Sequence, residues 1–311
     1  MTDLPRLGVV IVTHGSADVI GDCLDTLLQS RGVALSVVVV DNDSPDATAE
    51  VVAGRRAPDP HNLRWCPTHR NGGFAAGVNH GLRILMEDAG LDRFWILNPD
   101  TLVPPDTAAA FATHAAPDGF GILGGRVIYA DPPGAIQIDG GIVDWRTGRT
   151  RNLNQNADAG TAPPSASDIV FVTGASMVVS RTFVDRAGPM PEDYFLYYEE
   201  VDWALRRGPL PLLYCPDAVV RHRAGTSIGS QRPGRLASPF SEWFKHRARL
   251  RFVRRHRPAS LPGAWAFTVA KAGQLVLRRD LPAAGAVLRG GFGLAPPRDV
   301  RRRMAAGGVT L

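Results

Sequence analysis

The chain has 311 residues, of which 44% are hydrophobic and 21% charged, an ordinary globular composition with length for one large domain or two modest ones. No uncharged apolar run reaches the roughly eighteen residues of a spanning helix, and the first apolar stretch, 7–12, is too short for a signal peptide, so the protein is expected in the cytosol. The net charge of +5 is uneven: residues 232–257 carry +8 and residues 271–303 carry +6, leaving −9 elsewhere, which points to a local anionic contact such as diphosphate or a membrane surface and away from a nucleic-acid groove.

Short β-branched runs at 7–13 (LGVVIVT), 35–40 (LSVVVV), 63–66 (LRWC) and 93–97 (RFWIL) alternate with stretches of helical spacing. In 16–30, Val19, Ile20, Leu24, Leu27 and Leu28 share a face, and 77–91 repeats the pattern; together these predict a parallel sheet covered by helices. Asn71 stands where the N-cap or phosphate-binding turn of the second helix is expected. After Pro104 the alternation gives way to glycine-punctuated strands at 121–130 and 136–145, the latter predicting a hairpin turned near Gly140-Gly141. The polar, small and proline-containing stretch 152–167 reads as a mobile loop. A strand and a helix follow, and two basic helices, 238–257 and 261–279, close the chain. Cys23, Cys66 and Cys215 lie too far apart for metal-ligand spacing and read as reduced, buried thiols.

In an open α/β sheet the ligand binds beyond the carboxyl ends of the strands. Three such ends carry polar groups here: Thr13-His14, then Asp41-Asn42-Asp43-Ser44, then Asn98-Pro99-Asp100. One alone is a cap or turn; three at one sheet edge predict a site.

In order along the chain, GVVIVTH (8–14), VVDNDS (39–44), RNGGFAAGVNHG (70–81), ILNPDT (96–101), TGASMVVSR (173–181), YFLYYEEVDWALR (194–206) and YCPDAVVRH (214–222) resemble glycosyltransferase family 2, and within it the bacterial rhamnosyltransferase-like members. The resemblance implies a GT-A fold, an α/β architecture with a Rossmann-like nucleotide-binding sheet, a mixed acceptor half and carboxy-terminal helices. It divides the chain into a nucleotide-sugar half (1–104), an acceptor and catalytic half (105–235) and a basic helical segment (236–311). The implied activity is inverting, metal-dependent transfer of a sugar, rhamnose in those relatives, from a UDP- or dTDP-sugar donor to the hydroxyl of a glycan, lipid-linked or small-molecule acceptor.

Residue by residue, the resemblance places Thr13 in the donor site and makes Asp41 the acceptor for the base N3–H, with helix capping as its alternative. Asn71, Gly73 and Phe74 form the turn that lets backbone approach the donor. Asn98 and Asp100 occupy the family's Asp-X-Asp position, with Asn in place of the first acid, so Asp100 carries the charge and, with His222, holds Mn²⁺ or Mg²⁺. Glu200 is the general base where the family usually has Asp; Glu199 and Asp202 complete the acidic group, Asp202 also being placed to pair with Arg206 at i+4. Trp203 fits either an acceptor platform or core packing. Arg247 is placed to reach the diphosphate, and the remaining arginines of 243–256 to form a solvated or lipid-facing surface. The basic carboxy-terminal end, with Trp265, Phe267, Val269, Leu275 and Val276 of 261–277 followed by Arg278-Arg279, is expected either to dock the enzyme peripherally at the inner face of the plasma membrane or to pack back on the catalytic domain.

Three other readings compete. A nucleotidyltransferase shares the strand–helix alternation but needs a glycine-rich basic loop that is absent between Val9 and Asp22. An RNA-binding module accounts for 232–257 but not for the strand-end carboxylates. A degenerate transferase that binds without turnover would explain Asn98 and Glu200.

Overall fold

The computed structural model describes residues 4–131, 133–223 and 237–309; Arg232, Arg235 and the boundary expected at 235/236 lie outside the described residues. The amino-terminal third runs β1 (Arg6–Thr13), α1 (Ala17–Leu27), β2 (Ala34–Asp41), α2 (Thr48–Ala53), β3 (Asn62–Pro67), α3 (Phe74–Leu85) and β4 (Arg93–Leu97). β1 pairs parallel with β2 and β4, and β2 with β3. β1, β2 and β4 read as largely apolar runs because both faces are covered, whereas β3 is the exposed edge strand. Val10, Val12, Val38 and Val40 pack with Val78, Leu82 and Leu85 of α3, while Val9, Ile11, Val37 and Val39 pack with Ile20, Leu24 and Leu27 of α1.

The middle of the chain contributes β5 (Thr101–Leu102), α4 (Thr107–Thr113), β6 (Ile122–Tyr129), β7 (Ile136–Ile138), β8 (Gly141–Asp144), β9 (Arg149–Asn152), β10 (Ser176–Ser180), α5 (Arg181–Ala187), α6 (Glu199–Leu205) and β11 (Leu212–His222). One sheet runs through both parts in the order β3-β2-β1-β4-β10-β6-β11-β5, with β7 attached to β6. β10 is antiparallel to β4 and β6, so strand polarity changes at the middle of the sheet.

Two expectations need correction here. β7 and β8 do not form a hairpin: β7 pairs with β6, whereas β8 pairs with β9 in a separate two-stranded ribbon. The chain leaves one sheet for the other at Gly140, whose φ of 129° lies in a region that side chains rarely adopt. Nor is 152–167 a free loop. Arg126 donates to Asp139 through Nε (2.8 Å) and Nη2 (2.7 Å), and the same guanidinium donates to the carbonyls of Ala159 and Thr161. Asn154 and Tyr214 donate to the other lone pairs of Asp139, each at 2.8 Å. The loop is polar because it wraps a buried ion pair.

The last part is helical: α7 (Pro239–His256), α8 (Leu261–Leu277), α9 (Leu281–Gly291) and α10 (Arg298–Ala306). α7 is only in part the solvated surface expected from its arginines: Arg254 and Arg255 are exposed, but the helix also has a buried face. Trp243, Phe244, Phe252 and Arg249 are buried, Arg249 donating to Thr268 Oγ1 and Ala264 O. Arg255 reaches Asp202 (2.7 Å) and Asp193 (2.6 Å), so basic side chains of this helix bind it to the catalytic half. The three cysteines are buried and free. No helix among the described residues is long and apolar enough to cross a membrane.

Asp139 is wholly buried and satisfied by Arg126, Tyr214 and Asn154. Its replacement by Ala strands the guanidinium, and chemical unfolding is expected to show a loss of about 3–5 kcal/mol. A loss under about 1 kcal/mol, the range of exposed pairs, would remove this network as the anchor of 152–167.

Candidate active site

The carboxyl ends of β1, β2 and β4 open into a cavity of about 550 Å³ whose wall includes Thr13, Asn71, Gly73, Phe74, Asn98, Asp100, Glu199, Glu200 and His222. The fold therefore brings nine of the twelve sequence-predicted site residues to one space. Asp41, Asp202 and Arg247 stand outside that wall.

Asp41 lies behind it. Oδ1 accepts from Thr13 Oγ1 at 2.8 Å and from Ser44 Oγ, and Oδ2 accepts from Ser44 N at 3.0 Å. The carboxylate thus fixes the turn after β2 and the Thr13 hydroxyl. Nor does it cap α2, whose N-cap is Ala47. Next to it His14 donates through Nδ1 to Asn42 O at 2.9 Å, and Asn42 donates to Gly73 O at 2.8 Å.

Gly73, not Asn71, is the N-cap of α3. Its φ of 84° and the 2.6 Å that would separate a Cβ from Phe195 O both exclude a side chain there. Asn71 braces this turn from outside, accepting from Gly73 N at 3.1 Å and donating to Gly307 O at 2.9 Å. Phe74 N donates to Phe195 O, tying the start of α3 to the segment before α6.

Asn98-Pro99-Asp100 connects β4 to β5, and β5 pairs antiparallel with the end of β11, Thr101 opposite His222. This pairing sets His222 Nε2 at 2.9 Å from Asp100 Oδ1 and 3.4 Å from Asn98 Nδ2. On the other edge of the ring, Nδ1 is 2.8 Å from Gln137 Oε1, an acceptor, and therefore carries hydrogen. With Nδ1–H fixed, Nε2 of the neutral ring presents a lone pair to a carboxylate oxygen. Two acceptors at that distance need a proton or a cation between them.

Glu199 and Glu200 begin α6, which follows three residues with left-handed φ: Phe195 (65°), Tyr197 (69°) and Tyr198 (70°). Such angles in aromatic residues are costly and are retained where the surroundings hold them. Here Tyr198 donates to Gly148 O and Tyr197 pairs with Ser241 Oγ. The tight entry pushes both glutamates inward. Burial raises the Glu199 carboxyl well above the ordinary range, with the adjacent Glu200 charge adding to it, and Glu199 Oε2 is buried without a hydrogen-bond partner among the described residues. Burial pushes Glu200 up to about 7.

Asp202 is spoken for elsewhere. It accepts from Arg206 Nε (2.8 Å, the expected i+4 pair), Tyr194 Oη (2.7 Å) and Arg255 Nη1 (2.7 Å). These partners hold its carboxyl below the ordinary range despite burial. Trp203 is core, edge-on to Phe183 at 4.7 Å with Nε1 donating to Gly188 O, so it is no acceptor platform. Arg247 lies over Trp243 at 5.2 Å and does not line the cavity.

The guanidinium that does line the cavity is Arg303 of α10, 4.5 Å over the Phe240 ring. Ala306, Gly307 and Val309 complete that side. Neither Arg303 nor Gln137 was legible as a site residue: each depends on a long-range contact, and no local pattern marks it.

A family profile described as Glycosyl transferase family 2 matches residues 8–166. The chain is 29% identical to an N-acetylglucosaminyl-diphospho-decaprenol L-rhamnosyltransferase of Mycobacterium tuberculosis, over 76% of this chain and 82% of that one. It is 27% identical to the galactofuranosyltransferase GlfT1 of Mycolicibacterium smegmatis, over 73% and 74%. Among solved structures it resembles the mannosyltransferase PcManGT of Pyrobaculum calidifontis in complex with GDP-Man and Mn²⁺ (TM-score 0.57, 20% identity, 98% of this chain and 80% of that). It also resembles S. aureus TarS in complex with UDP (TM-score 0.51, 15% identity, 85% and 71%). The architecture is thus that of GT-A glycosyltransferases.

The buried glutamates cost stability in a defined pH window. Between the ordinary carboxyl value of 4.5 and about 7 the folded chain holds more protons at Glu200 than the unfolded chain does, so stability falls as pH rises through that interval. Glu199→Gln and Glu200→Gln are expected to raise the melting temperature by a few degrees near pH 8 and to change it little near pH 4. Equal melting curves at both pH values would show that the pair is not desolvated.

Proposed function

This chain belongs to glycosyl transferase family 2 and is a glycosyltransferase, and from that premise we propose that it inverts the anomeric centre while moving a hexose from a UDP- or dTDP-sugar to an acceptor hydroxyl. The observation that carries the reading is the meeting, in one cavity, of Asn98, Asp100 and His222 with the buried Glu199 and the half-buried Glu200. Rhamnose as the sugar, and a lipid-linked saccharide as the acceptor, are supported by the activity named for the mycobacterial relative. A glycan or a small molecule fits the same chemistry.

Asp100 and His222, with Asn98 beside them, suit a divalent cation. His222 Nε2 and Asp100 Oδ1 face each other at 2.9 Å, and Gln137 orients the ring through Nδ1, as outer partners of metal-bound histidines do. Among the described residues no three His, Cys, Asp or Glu side chains form a metal-holding group, so diphosphate oxygens and water would fill the remaining positions of Mn²⁺ or Mg²⁺. When bound, the ion supplies positive charge that stabilises the departing nucleoside diphosphate.

The rest follows from the chain's own groups. Glu200, with a carboxyl near 7, takes the proton of the acceptor hydroxyl as its oxygen attacks the anomeric carbon. The bond from that carbon to the diphosphate oxygen breaks on the opposite face, and its electron pair leaves with the diphosphate. Burial of Glu199, with the Glu200 charge adding to it, disfavours a second negative charge beside the base. Gly73 lets backbone approach the donor, and Arg303 adds a cation to the phosphate side of the cavity. Asp41 and Asp202 serve as positioning residues, Asp41 for Thr13 and Asp202 for α6 against α7.

Glu200→Gln is expected to bind donor normally and lose at least about a hundredfold in turnover. In the parent, kcat/KM should climb with pH through about 7, a limb that the variant lacks. Retained turnover with the same pH limb would move the base elsewhere, Glu199 being next.

Asp100→Ala and His222→Ala are expected to weaken Mn²⁺-dependent donor binding by about tenfold or more, and Asn98→Ala by less because it removes no charge. Calorimetry with and without chelator reads this directly. Full donor affinity and activity in chelator would remove the cation from the mechanism.

A further inference from the structure

Of the eight large hydrophobic side chains that are exposed among the described residues, all but Leu4 lie between Val269 and Leu294. They are concentrated on α8, α9 and the turn that follows. In α8 the exposed residues are Pro262, Ala266, Val269, Ala270, Gly273, Gln274, Val276 and Leu277, so the outward face of a helix about 25 Å long carries no charge. Leu277 is 87% exposed and Leu281, across the tip of the hairpin, 64%. At the other end Phe292 stacks on Trp265 with ring centroids 6.3 Å apart, and Leu294 is 52% exposed.

The inward face is already satisfied: Ala272 and Leu275 pack against Ala283, Ala284 and Val287. The exposed face is therefore not a loosely docked core. Scattered apolar residues on a surface need no explanation, but a continuous apolar face does.

Charge identifies the occupant. Arg278, Arg279 and Arg289 are exposed at the rim. Asp280 is the single acid from Pro258 to Pro297, and its carboxylate accepts from Ala283 N to cap α9. An apolar ridge rimmed only by cations repels its own copy and complements a surface that is apolar beneath and anionic on top. We infer that the outward face of the α8–α9 hairpin docks the enzyme on an anionic lipid bilayer, lying in the interface with its leucines inserted shallowly. On α7, by contrast, Arg249 is buried and Arg255 is held by Asp202 and Asp193, so that helix offers no such continuous apolar face. From Leu294 the chain passes through Pro296-Pro297 into α10, whose Arg303 walls the cavity, so docking holds the cavity near the membrane plane.

Co-sedimentation of the full chain with vesicles tests this without substrate, so its outcome is independent of the transfer reaction. Binding is expected to phosphatidylglycerol-containing vesicles, with little to pure phosphatidylcholine, and to fall as salt rises. Leu277→Ser with Leu281→Ser should weaken it at least about tenfold, and Arg278→Ala with Arg279→Ala roughly twenty-fivefold, given about fivefold for each cation near anionic lipid. All four side chains are exposed, so both variants should melt with the parent. Absence of binding to the anionic vesicles, or undiminished binding by the leucine variant, overturns the inference. So does light scattering that shows a dimer which the leucine variant converts to monomer, since the face would then belong to a second copy.

Discussion

Two residues of strand pairing hold this molecule's chemistry together. Thr101 and Leu102 lie antiparallel to His222 and Arg221, at the far edge of a sheet whose other end is built from the first parallel strands. Arg223 N donates to Asp100 O and Thr101 Oγ1 to Asn98 O, so the turn between β4 and β5 is fixed at both ends by backbone. Without that short strand, Asp100 would be linked to His222 only through the three strand pairings β4–β10, β10–β6 and β6–β11. With it, an imidazole and a carboxylate separated by 122 residues face each other at 2.9 Å.

The first half was legible because β1, β2 and β4 are apolar runs buried on both faces, as interior parallel strands are. Polar residues after such runs mark the ligand edge, and that rule located Thr13, Asn98 and Asp100. It could not say which carboxylate faces the cavity: Asp41 turns to Thr13 and Ser44, a choice made by local hydrogen bonds. The mixed half was read less well. Glycine pairs signal a turn, but Gly140-Gly141 carries the chain between two sheets, and only tertiary pairing distinguishes that from a hairpin. The stretch 152–167 looked free because the residue it binds, Arg126, lies well before it in sequence. Arg303 and Arg247 show the same limit: both are arginines on helices, and helix packing alone decides which reaches the cavity. Membership of the glycosyltransferase family decides against nucleotidyl transfer, which the strand–helix alternation by itself left open.

Charge bookkeeping along the chain was correct in sum and misleading in place. The basic excess of the last quarter divides into arginines that face inward and arginines that face out. Arg249 is buried beside Phe267, and Arg255 joins Tyr194 and Arg206 around Asp202, so α7 acts as a spine that clamps α6 from behind. That clamp is what lets Glu199 and Glu200 remain desolvated at the start of a short helix entered through strained aromatics. A site of this kind draws its reactivity from stability supplied elsewhere in the fold.

The hydrogen bond from Asn71 to the carbonyl of Gly307 spans 236 residues. Closing so long a loop in an unstructured chain forfeits much conformational entropy for one bond, and becomes favourable only after the sheet and α7 have shortened the path between its ends. The last helix therefore depends on the packed sheet and α7 for its place at the cavity wall, and without this contact the side lined by Arg303, Ala306, Gly307 and Val309 would stand open. Completion of the cavity thus reports that the whole described chain, from the first strand to the last helix, has reached its native arrangement.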